Sequence, residues 1–204
     1  MKKTTNNNTP IDKVVVIGAS AGGVEALPMI INCLPIDFPW PVVITVHLLR
    51  SKESFLAEFM NKKSYLRVKE AESCDILTPG TVYLAPSNYH LLIEDDLRLT
   101  LSVDEPVNFS RPSIDVLFES AADAIGRDLI AIILTGANSD GAEGIRRVKE
   151  LGGLTIVQDP KSAKMKAMPE QAIAATEIDH IIEIKEITPL LIRLAQKAGW
   201  RKKK

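Results

Sequence analysis

Short runs of β-branched and aliphatic residues alternate with helix-patterned segments along this chain, and that alternation constrains the fold more than any other feature. The apolar runs lie at residues 14–17, 42–46, 82–84, 129–134, 155–157 and 180–184; helix periodicity falls near 24–32, 54–62, 114–125, 143–151, 169–175 and 187–197. Continuous apolar runs are what strands covered on both faces require. The pattern therefore predicts an α/β fold: a doubly wound, mostly parallel sheet with helices on both faces. One stretch departs from it. His90-Leu-Leu-Ile-Glu94 and Leu97-Arg-Leu-Thr-Leu101 flank the acidic pair Asp95-Asp96, which predicts an antiparallel β-hairpin at one edge. The connection over 102–112 is longer than its neighbours, and long connections in such folds border sites.

A chain of 204 residues, 46% of them apolar, supports one packed domain, expected over residues 13–197 between a polar N-terminal tail (1–12) and a basic C-terminal tail (198–204). The 25 Lys and Arg nearly balance the 26 Asp and Glu, so no overall field recommends nucleic acid or an anionic membrane as a partner. Cys33 and Cys74 are too few for a disulfide framework, and neither stands in a spacing that holds zinc, so no metal is expected. The polar start lacks the apolar core of a signal peptide, and no apolar run is long enough to span a bilayer. A cytoplasmic protein without membrane insertion is the expectation.

Straight after the first strand comes Gly18-Ala-Ser20-Ala-Gly22-Gly23. G-x-S-x-G fits a nucleophile elbow, in which glycines permit a sharp strand-to-helix turn that exposes the serine oxygen. The same letters suit a phosphate-cradling turn or a serine N-cap. Position narrows the choice, because open parallel sheets build their sites at the carboxyl ends of strands. Ser20 follows the strand ending at Ile17, His47 follows 42–46, and Asp140 follows the strand 129–134 through a short loop. A serine hydroxyl needs a base, and the base needs an acid to fix its tautomer. The chain has three histidines; His90 and His180 open strands and are expected on the opposite rim, leaving His47 as the base. Asp140 has a competing reading as N-cap of the next helix, with Glu143 completing a capping box. The order Ser, His, Asp differs from the α/β-hydrolase order. A dinucleotide-binding module fits poorly, since the G-x-G-x-x-G spacing and an acidic residue after the second strand are both missing.

With these residues in view, the chain resembles the catalytic domain of the chemotaxis protein-glutamate methylesterases (CheB) from about Lys13 to about Leu194. The likeness rests on Ile17-Gly-Ala-Ser-Ala-Gly-Gly23, Val46-His47, Pro79-Gly-Thr-Val-Tyr-Leu-Ala-Pro86 with His90, Arg111-Pro-Ser-Ile-Asp-Val-Leu-Phe118, Leu134-Thr-Gly136 with Asp140-Gly-Ala142, and Gln158-Asp159 with Met168-Pro169. It implies the fold of that domain and a cofactor-free serine esterase that removes methyl groups from glutamate methyl esters on the cytoplasmic helices of chemoreceptors. Some members also deamidate receptor glutamines. The resemblance carries nucleophile, base and acid onto Ser20, His47 and Asp140, and the backbone oxyanion donors onto Ala21 and Ala137. Arg111 is a candidate contact to the receptor, against the plainer reading of a loop arginine paired with Asp115 or Glu119.

Two departures stand out: Val46-His47-Leu48 where the family has Gln-His-Met, and Gly136-Ala137-Asn138-Ser139 where it has Gly-Met-Gly. Asn138 thus replaces a glycine in the loop that completes the oxyanion hole. A phosphorylatable receiver commonly precedes the esterase in this family, and only a short polar segment precedes Lys13 here. The resulting expectation is either a stand-alone esterase or one controlled by a separate response regulator or sensory kinase. The rival reading is a catalytically weak signalling or scaffold module of the same descent.

Overall fold

A computed structural model describes residues 11–47 and 53–201, side chains at 53 and 54 excepted. The tail expected at 1–12 therefore falls largely outside the described residues, as do 202–204 of the expected C-terminal tail and Leu48.

Seven strands form one parallel sheet in the order β3-β4-β2-β1-β7-β8-β9, with β1 at Val14–Ala19, β2 at Val42–Val46, β3 at Arg67–Glu70, β4 at Thr81–Leu84, β7 at Leu129–Ile133, β8 at Leu154–Gln158 and β9 at His180–Ile182. The central β1 lies between β2 and β7, pairing Ile17 with Ile44 on one side and with Ile132 on the other. Successive residues of β1 feed opposite faces. Val15 and Ile17 pack with Leu27, Ile30 and Ile31 of α1 (Gly23–Ile31), Leu56 and Met60 of α2 (Glu53–Asn61) and Leu191 of α6 (Ile184–Lys197). Val14 and Val16 pack with Phe118 of α3 (Ile114–Ile125), Ile145 of α4 (Ala142–Glu150) and Met168 of α5 (Ala167–Ala175). The doubly wound architecture follows from this period-two division of a strand buried throughout.

The hairpin strands β5 (His90–Ile93) and β6 (Leu99–Ser102) make a separate two-stranded antiparallel sheet. It is tied to the connection between the edge strand β3 and β4 by N–H donation from Cys74 to Leu99, Leu99 to Asp75 and Leu77 to Leu97. Its apolar residues Leu91, Ile93, Leu97 and Leu99 join Leu117 and Phe118 of α3 in the same core. The strand β3 was not among the sequence expectations. Only Val68 of Arg67-Val-Lys-Glu70 is buried, because an edge strand pairs on one side only and keeps charge on its open flank. Helix α6 starts a turn before the expected 187, where Glu183 and Glu186 form a reciprocal capping box.

Phe118 is fully buried between α3 and α4, and an added Cβ on Gly144 would lie 2.6 Å from its Cβ. Phe118→Ala should lower unfolding stability by about 3–5 kcal/mol in urea titration, and a loss below about 1 kcal/mol would mean the helix pair closes the cavity.

Candidate active site

Winding to one side of β1 and then to the other opens a crevice at the carboxyl ends of β1, β2 and β7, where three sequence-selected residues meet. Ser20 donates its backbone N–H to Thr135 O at 2.9 Å, and His47 donates its own to Ala19 O at 3.1 Å, so both turns are pinned to neighbouring strand ends. Gly22 has φ 89°, the left-handed conformation that begins α1 immediately after the serine. The Ser20 Oγ lies 3.2 Å from His47 Nδ1, and His47 Nε2 lies 2.8 Å from Asp140 Oδ2. Rotating the ring by half a turn would put carbons at both places, so both contacts select this orientation. An Nε2–H donating to Asp140 leaves Nδ1 as the acceptor for the serine proton.

Asp140 is fully buried and does not cap α4, whose N-cap is Gly141 with no side-chain bond. Its carboxylate instead sits on the N-terminus of α3. Oδ2 accepts the Ile114 N–H at 2.7 Å, and Oδ1 accepts the Asp115 N–H at 3.1 Å and the Ser113 hydroxyl at 2.8 Å. The Asn108 amide adds a longer contact to Oδ1, 3.4 Å. A buried anion there gains from the helix dipole and from donors otherwise unpaired. Burial alone would raise the pKa of Asp140; donation from His47, Ile114, Ser113 and Asp115 outweighs it and holds the carboxyl below its ordinary range.

Four further residues shape the site and went unassigned by sequence reasoning. Asp115, 4% exposed, accepts the Gly144 N–H of α4 at 2.8 Å and the Asn108 Nδ2–H at 2.8 Å. Each helix N-terminus is thus served by the other's carboxylate. Burial pushes Asp115 up to about 7, with Gly144 opposing and the Asp140 and Glu119 charges adding to the rise. Ser113 is the N-cap of α3, and its hydroxyl accepts from Val116 N while donating to Asp140. Thr135 braces the elbow: its hydroxyl lies 2.8 Å from Ala21 O and accepts the Met165 N–H, while Gln158 Oε1 accepts its N–H.

His90 corrects an expectation. It does not lie on the opposite rim, because its strand belongs to the hairpin, where the strand-end rule of the parallel sheet does not apply. Buried to 1% exposure, its Nδ1 accepts the Ser113 N–H at 3.2 Å and its Nε2 donates to Glu105 O at 3.1 Å, so it stands directly behind the seat of Asp140. His180 opens β9 in the parallel sheet and does lie at the amino-end rim.

Ala21 and Ala137 are exposed, and neither N–H has a hydrogen-bond partner among the described residues. Asn138 is not among the positive-φ residues, so the residue that replaces a glycine needs no left-handed backbone; its buried Oδ1 has no partner. Arg111 pairs with neither Asp115 nor Glu119. Its guanidinium donates to Asn88 Oδ1 at 2.9 Å, Val103 O at 2.7 Å and Asp104 O at 3.0 Å, lacing the 102–112 loop to the turn before β5. Among the described residues no cluster of His, Cys, Asp or Glu is arranged to hold a metal ion, and no helix is long and apolar enough to cross a membrane.

Comparison with known proteins converges on one family. The model of the CheB methylesterase family matches residues 15–191. A Leptospira interrogans protein, provisionally named protein-glutamate methylesterase/protein-glutamine glutaminase, is 47% identical over 184 residues, covering 90% of this chain and 95% of its own length. A Geobacter metallireducens protein-glutamate methylesterase/protein-glutamine glutaminase is 38% identical over 193 residues, which is 93% of this chain and 53% of that protein. The crystal structure of the Thermotoga maritima CheB methylesterase catalytic domain superposes with a TM-score of 0.86 at 36% identity, over 89% of this chain and 98% of that one.

The two buried carboxyls push stability in opposite directions with pH. Asp140, held low, stabilises the fold above the ordinary carboxyl range and loses that contribution as pH falls through its own lowered pKa. Asp115 keeps its proton to about 7 when folded and releases it near 4 when unfolded, so its contribution is full below about pH 4 and is lost as pH rises through 7. Denaturation of Asp115→Asn and the wild type at pH 5 and pH 8 should show the variant gaining on the wild type at pH 8, by on the order of 1–3 kcal/mol. An unchanged difference would mean that Asp115 is ionised throughout.

Proposed function

The chain belongs to the CheB methylesterase family, and on that premise we propose that it is a serine hydrolase that cleaves glutamate γ-methyl esters on bacterial chemoreceptors. Methanol is the product; the same chemistry on a receptor glutamine releases ammonia. The names of the Leptospira and Geobacter relatives support both activities. The observation that carries the reading is the unbroken line from Ser20 Oγ through His47 Nδ1 and Nε2 to buried Asp140.

In this mechanism Ser20 Oγ attacks the γ-carbonyl while His47 Nδ1 takes its proton. Asp140 holds the Nε2–H and stabilises the imidazolium. The N–H groups of Ala21 and Ala137, without partners among the described residues, receive the tetrahedral oxyanion, and the N-terminus of α1 adds about 0.3–2 kcal/mol of dipole stabilisation. Collapse of the intermediate expels methanol with the proton from Nδ1 and leaves a glutamyl ester on Ser20. Water, deprotonated by Nδ1, then attacks that ester and the proton returns to Ser20.

The substrate on this reading is a methylated cytoplasmic helix of a chemoreceptor, met in the cytoplasm. Arg111 contributes through the loop it orders beside the crevice.

Incubation with methyl-labelled receptor membranes should release methanol, and Ser20→Ala should lower the rate by on the order of 10³-fold or more. Equal release by both proteins would exclude the serine mechanism and favour a binding module.

A further inference from the structure

Between the triad and solvent, the 102–112 loop delivers one amide to two buried carboxyls. The Asn108 Nδ2 lies 2.8 Å from Asp115 Oδ2 and 3.4 Å from Asp140 Oδ1, so its two hydrogens can serve one carboxyl each. The other oxygen of Asp115 is occupied by the Gly144 N–H at 2.8 Å. This contact depends on α3 and α4 meeting at backbone distance, since a Cβ on Gly144 would stand 3.1 Å from the Asp115 Cα. Asn108 itself is held in the left-handed region at φ 51°, followed by Phe109 at φ 60°. The loop that carries it is anchored by Arg111 on Val103 O and Asp104 O and by His90 on Glu105 O. Asn tolerates this conformation, Phe109 beside it is fully exposed, and of the two only the Asn108 amide turns onto the buried acids.

We infer that Asn108 and Asp115 are positioning residues of the hydrolytic site: Asp115 clamps the Asn108 amide, and the amide holds the Asp140 carboxylate on His47. The inference rests on the serine-hydrolase reading above. Asp115 suits the task because, with its pKa near 7, it keeps its proton over part of the neutral range and limits the second negative charge beside Asp140. Without the amide, Asp140 Oδ1 keeps only the Ser113 hydroxyl and the Asp115 N–H, and Asp115 Oδ2 loses its donor beside the Asp140 charge. Asp140 then turns more freely, and the imidazole that hangs on it loses its aim at Ser20.

The test uses the full chain with a peptide bearing a glutamate γ-methyl ester, reading kcat and KM from methanol release, and low-field proton NMR for the His47 Nε2–H. Asn108→Ala, Asn108→Asp and Asp115→Asn should each lower kcat by about 10-fold or more while KM stays within about 2-fold, and the Nε2–H resonance should move or be lost. Asn108→Ala is decisive because it removes the donor without adding charge, whereas Asn108→Asp also sets a third carboxyl beside Asp115 and Asp140. A role in packing alone would leave kcat and the resonance unchanged, and that outcome overturns the inference while Ser20→Ala still abolishes turnover. Should wild type and Ser20→Ala release methanol equally, the serine reading fails by itself, and the resonance in the Asn108 variants then decides the positioning role. Asn108 lies on an exposed loop, so its variants remain informative even where Asp115→Asn does not fold.

Discussion

A carboxylate buried as completely as that of Asp140 cannot persist without donors on every side, and the site is organised around meeting that demand. Leaving such a charge unpaired in the interior would cost several kcal/mol. The donors come from three separate places in the chain: His47 after β2, Ser113, Ile114 and Asp115 at the start of α3, and Asn108 in the long loop. Each of these segments is held at its distance because the acid needs it. The His47 ring is the donor that also faces Ser20, so the hydrogen bonds that stabilise the fold here also orient the ring toward the Ser20 hydroxyl.

The reciprocal seating of Asp140 on α3 and Asp115 on α4 links that demand to the architecture. Both helices cover the same face of the sheet and end their first turns beside the crevice, so their unpaired N–H groups and dipoles converge on one spot. Two acidic residues close together would ordinarily repel. Here one is held anionic by its donors while burial raises the other, and a single amide contacts both. Behind this group, His90 accepts from Ser113 and Thr135 accepts from Met165, so motif residues that looked remote from the chemistry brace the loops that carry it.

Much of the architecture was legible because a strand covered on both faces writes itself as an apolar run, and five of the seven sheet strands contain such a run in full or nearly so. Strand β3 was not, since an edge strand with one buried residue carries no such mark. Ser20, His47 and Asp140 were legible because strand ends in a parallel sheet share a rim. His90 was misplaced for the converse reason: the rule was applied to a hairpin strand outside that sheet. The capping reading of Asp140 failed because Gly141 takes the N-cap and turns the carboxylate away toward α3.

By itself, then, the amino-acid order determined the alternation of strands and helices, the three rim residues and the resemblance to one enzyme family, all of which depend on local periodicity and spacing along the chain. Only the tertiary structure decided which groups hold Asp140. Asn108, Ser113 and Asp115 lie about 25 to 32 residues before it, and His47 lies 93 residues before it. Hydrogen bonds between such distant segments obey no sequence period; they exist because helix ends packed on one sheet face bring donors to a charge that has nowhere else to go.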